Sequence, residues 1–440
     1  MTFPITDASP VQYSGSLPDA CDVVIVGGGV IGVMTAWFLA EQGQKVVLCE
    51  KGRIAGEQSS RNWGWVRQQG RDYAELPITM ESVNLWERFQ QQMPQIGFRR
   101  LGVIYAARTD EKAAKNEGWL QGARDFGVDS RMLSGAEMAR LTGSSTWKSG
   151  LYTPSDAMAE PWSAVPTVAA ALAERVSLHE NCAVRALDIQ AGRITGVITE
   201  KGRIRADRVV VAGGAWSALL LRAHGVMIPQ LSVRSSVSQT APTGMVYEGG
   251  LSDAQFSYRR RADGGLSLAA ASHGFYIGPD AFRHFAKYLK VMKDEMGTHF
   301  SFLAPAGYPD AWTTPRRWSP DRPSPFEKIR ILNPKPDLAA LDRAAAALGQ
   351  AFPAVGKLRL NTTWAGMIDT MPDVVPVVDH APIAGLTVAT GMAGHGFGIG
   401  PGFGRVIADL VQGLPTGHDL SRFRFGRFSD GSPIVPGPSL

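Results

Sequence analysis

Residues 22–50 read DVVIVGGGVIGVMTAWFLAEQGQKVVLCE. Asp22–Val26 is a short, β-branched, apolar run of the length of one buried parallel strand. Gly27, Gly29 and Gly32 then spell G-x-G-x-x-G directly after it. Val30, Val33, Met34, Trp37 and Phe38 recur at helical spacing, which predicts a helix with one apolar face. Gly43 is a helix stop, and Lys45–Cys49 reads as a second strand ending at Glu50. Each part has a mechanical role. Gly27 permits a tight turn, Gly29 keeps no side chain between backbone and a pyrophosphate, and Gly32 lets helix and strand pack closely. The helix start, with Val30 and Ile31, turns free N–H groups and a positive dipole end toward phosphates. Glu50, with Lys51 beside it, stands near the ~20-residue spacing at which an acid accepts hydrogen bonds from a ribose diol. An acid there suits an unphosphorylated ribose, hence FAD or NAD rather than NADP.

Composition narrows the classes. The chain has 440 residues, 44% hydrophobic and 19% charged, which predicts a globular protein with a large core and two domains. The net charge of +5 is mild for this length, and the basic clusters Arg259–Arg261 and Arg422–Arg427 are short, so no nucleic-acid partner is expected. Cys21, Cys49 and Cys182 are few and unpatterned, which favours a reducing cytoplasm and argues against a thiolate metal site. No other metal-ligand spacing stands out. Residues 1–20 lack the basic start and apolar core of a signal peptide and read as a loose arm. No stretch approaches the length of a membrane span; peripheral membrane contact is left open.

After Glu50 comes KGRIAGEQSSRNWGWVRQQGRD, polar, glycine-punctuated and carrying two tryptophans. Its length and SSRNWGW core suit a ligand-contacting loop leading into a helix near Glu75–Met93. Here the chain resembles the D-amino-acid oxidase superfamily, which includes glycine oxidase, sarcosine oxidase, D-amino-acid dehydrogenase and related FAD-dependent amine oxidoreductases. The resemblance implies that Ser59, Ser60, Asn62 and Gly64, with Trp63 among them, line FAD and its isoalloxazine ring. Later segments continue it. A helix over Pro161–Arg175, a strand from Val184, a hairpin and the segment VVVAGGAWS follow in the superfamily's order. By this likeness Val184 lies against the adenine, and Ala212, Gly213, Gly214 and Trp216 lie beside the FAD. Near the end, Leu386–Thr390 reads as a strand, Gly391–Gly400 as a loop and Gly402–Gln412 as a helix. Gly394, His395, Gly396, Phe397 and Gly398 match the loop that faces the flavin's pyrimidine end, where backbone N–H groups stabilise negative charge on the reduced ring. Gly366, in Trp-Ala-Gly, matches the superfamily strand under the substrate. Sarcosine-oxidase-like members hold FAD through a late cysteine. No cysteine follows Cys182, so the resemblance implies non-covalent FAD.

The expected fold is α/β plus α+β, a Rossmann-like FAD-binding domain with an inserted, mostly antiparallel-sheet substrate domain. Residues 1–95, 151–228 and 356–440 are assigned to the first, and 96–150 and 229–355 to the second. Within them Leu101–Ala107, Val184–Ile189, Gly192–Thr199, Arg203–Arg205, Arg208–Ala212, Leu231–Gln239, Gln255–Tyr258 and Leu266–Ala270 read as strands. Ser134 with Glu137 reads as a capping box. Arg259–Gly265 reads as a turn. Phe282, Phe285, Leu289 and Met292 predict a helix laid on a core.

Oxidation by FAD asks the protein for binding and orientation more than for acid–base groups. The expected reaction is oxidation of the C–N bond of a primary or secondary amine, or of an N-substituted amino acid, to an imine. Oxygen or a quinone-linked carrier would take the electrons. Two alternatives stand beside it: a flavin-dependent hydroxylase, which lacks a second G-x-G-x-x-G for NAD(P)H here, and a non-enzymatic FAD-binding or tRNA-modification partner. The site residues expected around the substrate are His395, Trp364, Tyr258 and Asp369. Glycine-oxidase-like members often carry a carboxylate-gripping arginine after Trp-Ala-Gly, where this chain has Met367, Ile368 and Asp369. Arg67, Arg259 and Arg260 are the candidates to replace it. Trp63, Trp65 and Trp364 would form an aromatic wall suited to a cation, and Asp369 would favour an ammonium.

Overall fold

The computed structural model describes residues 3–244, 247–294, 299–301 and 303–437, the side chains of 290–294 and 299–301 excepted. The fingerprint strand Val23–Val26 sits inside a six-stranded sheet. It pairs in parallel with Val46–Cys49 on one side and Arg208–Val211 on the other. Ser177–His179 and Leu386–Thr390 extend the sheet in parallel, and Val377–His380 closes one edge antiparallel. Strands buried on both faces need β-branched residues throughout, and Val23, Val24, Ile25, Val209, Val210 and Val211 are fully buried.

The helix Val30–Glu41 departs from the expected amphipathic pattern. Every residue from Val30 to Leu39 is buried, because the helix is enclosed by the sheet, by Gly396–Gln412 and by Pro161–Leu172. A helix covered on all sides is apolar all round. Gly396–Gln412 approaches it through glycine: a Cβ on Gly404 would lie 2.5 Å from Met34 Cβ, while on another side of the same helix a Cβ on Gly402 would lie 2.4 Å from the Ile78 carbonyl oxygen of the helix Leu76–Gln92.

The second sheet is large and mostly antiparallel. Its order is Leu360–Thr370, Leu231–Thr240, Leu266–Tyr276, Phe256–Arg260, Gly250–Ser252, Val103–Ala107, Ser149–Thr153 and Arg131–Ser134, with His299–Ser301 paired to Leu266–Tyr276. Leu360–Thr370, expected within the closing segment of the first domain, runs along Leu231–Thr240 in this sheet. Arg259 and Arg260, expected in a turn, are strand residues opposite Ser267 and Leu266. Ser134 and Glu137 form the expected capping box.

Two other expectations are corrected. The N-terminal arm is tied down: Arg61 donates to the Ile5 carbonyl at 2.9 Å, Arg53 donates to the Ser9 carbonyl at 2.8 Å, and Phe3 packs edge-on against Trp364. The helix Pro279–Asp294 forms, but its apolar face points outward. Phe282, Phe285 and Leu289 are exposed, Phe282 meeting the likewise exposed Trp312 ring. The side chain of Met292 lies outside the described residues. Helical periodicity reports that a stripe exists, not which surface covers it.

The Gly404 contact gives a direct test. Gly404→Ala should destabilise the fold by about 1–3 kcal/mol, since neither Met34 nor its backbone can withdraw without moving the fingerprint helix. Chemical denaturation of the variant against the parent measures it.

Candidate active site

A cavity of about 660 Å³ runs from the fingerprint to the second glycine-rich helix. At its first end the glycines act by close approach. Gly27 adopts φ +113°, and a Cβ there would lie 2.4 Å from the Ala212 carbonyl oxygen. A Cβ on Gly32 would lie 2.0 Å from the Gly27 carbonyl oxygen. Gly32 therefore sets helix depth and does not face the cavity. Gly29 does face it, and a Cβ there would meet only Ser59 Oγ at 3.1 Å. Ser59 Oγ accepts from the Val30 N–H at 2.8 Å, binding the loop to the helix start.

Glu50 lines the same end. Its carboxylate accepts from the Gly28 and Gly52 N–H groups, both at 2.7 Å. Burial pushes its pKa up, with Lys51 and those two amides pulling the other way. A carboxylate has about four acceptor sites, so two remain for a diol. Lys51 Nζ pairs with Glu57 at 2.7 Å and lies 4.4 Å from the Trp216 ring centroid. Val30, Ile31, Val184, Ala212, Gly213, Gly214 and Trp216 complete this wall. The residues fit an adenosine diphosphate moiety: a side-chain-free cradle at a helix start, an acid with spare acceptor capacity and an apolar slot at Val184.

The other end receives Asn62, Trp63, Trp65, Gly366 and the loop Gly394–Gly398. His395 stands at the start of Gly396–Gln412, where the first-turn N–H groups are free. A Cβ on Gly398 would lie 3.2 Å from the Trp65 carbonyl oxygen, so that helix start presses directly on the SSRNWGW loop. Phe397 packs on Trp86 behind it. His395 Nε2 lies 3.1 Å from Glu75 Oε2, a buried pair. The two atoms meet at ion-pair distance but not along a hydrogen-bond direction. Arg67 projects into the cavity with its guanidinium 5.2 Å from the Tyr105 ring centroid and 5.8 Å from that of Trp65. Its Nη1 donates to the Gln69 carbonyl. Beneath this loop, buried Asp156 accepts from the Gln68 N–H at 2.6 Å. Burial raises Asp156 to about 7, against the pull of those amides and of Arg67.

Several expected site residues lie elsewhere. Trp364 is buried, and its Nε1 donates to the Arg61 carbonyl at 2.7 Å, with Phe3 on its face; it sits beneath the site, not in its wall. Tyr258 is fully buried in the core of the second sheet and donates to the Tyr247 carbonyl at 3.2 Å. Arg259 is fully buried in a two-pronged pair with Glu160, at 3.0 and 2.6 Å, and cannot anchor a substrate. Arg260 turns to the Gly244 carbonyl at 3.1 Å and to Glu248 at 3.6 Å. Asp369 reaches the cavity wall, but its Oδ2 already accepts from Gln230, Thr390 and the Gly391 N–H, the last at 2.6 Å. It braces two strands and a loop. Ser60 and Gly64 are turned away, the latter because a Cβ would lie 2.3 Å from the Ala159 carbonyl oxygen.

The sequence reading missed Arg71, Glu75, Tyr105 and Lys112, all of which line the cavity. Arg71 and Glu75 follow the SSRNWGW loop closely, and their burial in a polar segment is the signal that could have found them. Tyr105 and Lys112 come from a distant strand and helix and carry no local signal.

The family model described as DAO, FAD dependent oxidoreductase, matches residues 22–410. The sarcosine oxidase subunit beta of Arthrobacter sp is 24% identical over 432 residues, covering 93% of this chain and 92% of that protein. Glycine oxidase of Pseudomonas putida is 31% identical over 226 residues, covering 49% of this chain and 61% of that protein. The solved L-amino acid deaminase of Proteus myxofaciens, in complex with anthranilate, superposes with a TM-score of 0.91 at 28% identity and 97% coverage of both chains.

Two outcomes follow from this geometry. Glu50→Ala should weaken FAD binding by roughly 1.5–3 kcal/mol, the scale of a hydrogen bond to a charged group, read by equilibrium dialysis of the flavin. Asp156 gives a pH signature. Its folded pKa of about 7 stands above the ordinary 3.8, so the folded state holds a proton that the unfolded chain releases. Its contribution is full below the ordinary value and is lost as pH rises through about 7. At ~1.4 kcal/mol per pKa unit, Asp156→Asn should flatten the pH dependence of urea unfolding between those values by a few kcal/mol.

Proposed function

This chain belongs to the DAO family of FAD-dependent oxidoreductases, and from that premise we propose that its substrate is an amine carrying a carboxylate, oxidised at a C–N bond. The observation that carries this reading is the placement of Arg67. It is an arginine in the cavity wall close to the second glycine helix, its neighbours there being aromatic rings and a backbone carbonyl. An arginine fork in such a position suits a carboxylate. FAD, when bound, supplies the two-electron acceptor for the hydride leaving the carbon next to nitrogen. The resulting imine takes up water and separates into a carbonyl compound and an amine.

The chain's own residues orient and shield. Arg67 fixes the carboxylate, and thereby which face of the carbon meets the flavin. Trp63 and Trp65, in edge contact at 5.7 Å between centroids, exclude water from that face. The free N–H groups at the start of Gly396–Gln412 meet negative charge developing on the ring. His395, with its Nε2 3.1 Å from Glu75, stands at the same helix start. The three cysteines are free thiols, which supports a reducing, cytoplasmic site of action. Among the described residues no helix is long and apolar enough to cross a membrane.

Anaerobic mixing with a panel of amino acids, N-alkyl amino acids and simple amines tests the reading. Carboxylated amines should bleach the flavin, and Arg67→Met should raise their KM by about 10- to 100-fold, ~1.5–3 kcal/mol. A flavin that none of these amines bleaches would overturn the proposal. Acid precipitation should leave all flavin in the supernatant, as the non-covalent attachment requires.

A further inference from the structure

The mouth of the cavity holds more positive charge than one carboxylate needs. Arg67 and Lys112 approach the same Tyr105 ring, their cationic groups 5.2 and 5.8 Å from its centroid. Arg71 lies four residues after Arg67 in the same loop, and its carbonyl accepts from Trp119 Nε1 at 3.0 Å. Trp119 and Lys112 share the helix Asp110–Ala123, so this contact docks the loop that carries Arg67 and Arg71 on the helix that carries Lys112, and the cavity wall includes all three cations.

Two acids at this end pair with other arginines, Asp72 with Arg422 at 3.1 Å and Asp253 with Arg108 at 2.6 Å, while Glu75 faces the imidazole of His395 at 3.1 Å. Asp156 holds the backbone of Gln68 and Gln69 from behind. Among the described residues no carboxylate forms an ion pair with Arg67, Arg71 or Lys112. Arg71 is the decisive member. It is 4% exposed, and its Nε is buried without an acceptor. A guanidinium taken out of water without a counter-charge carries a desolvation penalty that its surroundings must offset, and Arg71 lines the cavity. Lys112 sits in the first helical turn, where the macrodipole disfavours a cation. Burial and the neighbouring Lys115 and Arg67 bring its pKa down to about 8.

We infer that this cavity takes an amine with two acidic groups, one held by Arg67 and the second by Arg71 and Lys112. The inference deepens the proposed function and rests on it for the site of the amine. Two carboxylates bring two negative charges to three cations, whereas a single carboxylate leaves two of the three unmatched, the buried Arg71 among them. Substrates of this class are amino acids with an acidic side chain and secondary amines whose nitrogen carries two carboxyalkyl arms.

Binding can be measured without turnover. Thiodiacetate and methylthioacetate are thioethers that differ by one carboxylate, and each is titrated into the FAD-loaded protein while the flavin spectrum is followed. Thiodiacetate should bind at least tenfold more tightly, and that ratio should fall at least tenfold in Lys112→Met and in Arg71→Met. Among oxidisable amines, an N-carboxymethyl amino acid should exceed the matching N-methyl amino acid in kcat/KM by at least tenfold. Equal binding of the two thioethers by the parent protein would overturn the inference, as would a ratio that survives both variants. The parent comparison needs no variant to fold. A flavin bleached by amines of one carboxylate, with no preference for the second, strikes this inference alone. A flavin bleached by no amine strikes the amine-oxidation reading, while the thioether ratio still decides whether the second acid is recognised.

Discussion

The depth to which the helix Val30–Glu41 settles on its neighbours governs the rest of the molecule. Two missing side chains set it. Gly32 lies so close to Gly27 that a Cβ would come within 2.0 Å of its carbonyl oxygen, and Gly404 touches Met34 from the opposite side. These approaches stack two helices whose first turns open onto one cavity, one at the fingerprint and the other at His395. Backbone N–H groups from both starts are thereby delivered without charged side chains. The SSRNWGW loop is clamped between them by the Ser59–Val30 hydrogen bond and by the contact of Gly398 with Trp65. A shift of either helix would move both ends of the cavity together.

This arrangement explains which parts of the molecule were legible in sequence. The nucleotide end is built from contiguous segments whose geometry follows from local rules: a buried strand, glycines at a turn, an acid at the next strand end. Gly27, Gly29, Glu50, Ser59 and the late glycine loop belong to such segments, and the structure gathers them along one cavity. The substrate end is built from pairings across long separations, and there residue type misled. Arg259 looked like a free cation in a polar run, yet Glu160, ninety-nine positions earlier, neutralises it in the core. Asp369 looked like an open acid, yet its donors come from Gln230 and Thr390. The apolar stripe Phe282, Phe285 and Leu289 was real, and its direction follows from the opposite face, where Asp280 pairs with Arg222 and the Tyr288 hydroxyl donates to the Pro229 and Thr370 carbonyls, contacts no local pattern encodes.

Arg259 and Glu160 illustrate why a buried pair is not a spare anchor. Breaking such a pair leaves an uncompensated charge, at a cost of about 3–5 kcal/mol, so a substrate carboxylate would have to compete with Glu160 from the outset. The Arg259 Nε also donates to the Trp63 carbonyl. The pair therefore fixes the backbone of the aromatic wall from below, and it shapes the site without touching what the site holds.

The two ends of the cavity meet opposite electrostatic problems. At the fingerprint, Glu50 is a buried acid, and two backbone amides with Lys51 nearby offset part of its burial. The protein itself supplies that partial compensation. At Arg71 the described residues supply no ion pair: the guanidinium is buried, and Asp72 and Asp253 are turned to Arg422 and Arg108. A buried charge without such a partner carries a desolvation cost, and an incoming anion lowers that cost in addition to forming its own hydrogen bonds. Discrimination then comes from a cost already present in the unliganded protein, and it acts against neutral ligands as well as for acidic ones.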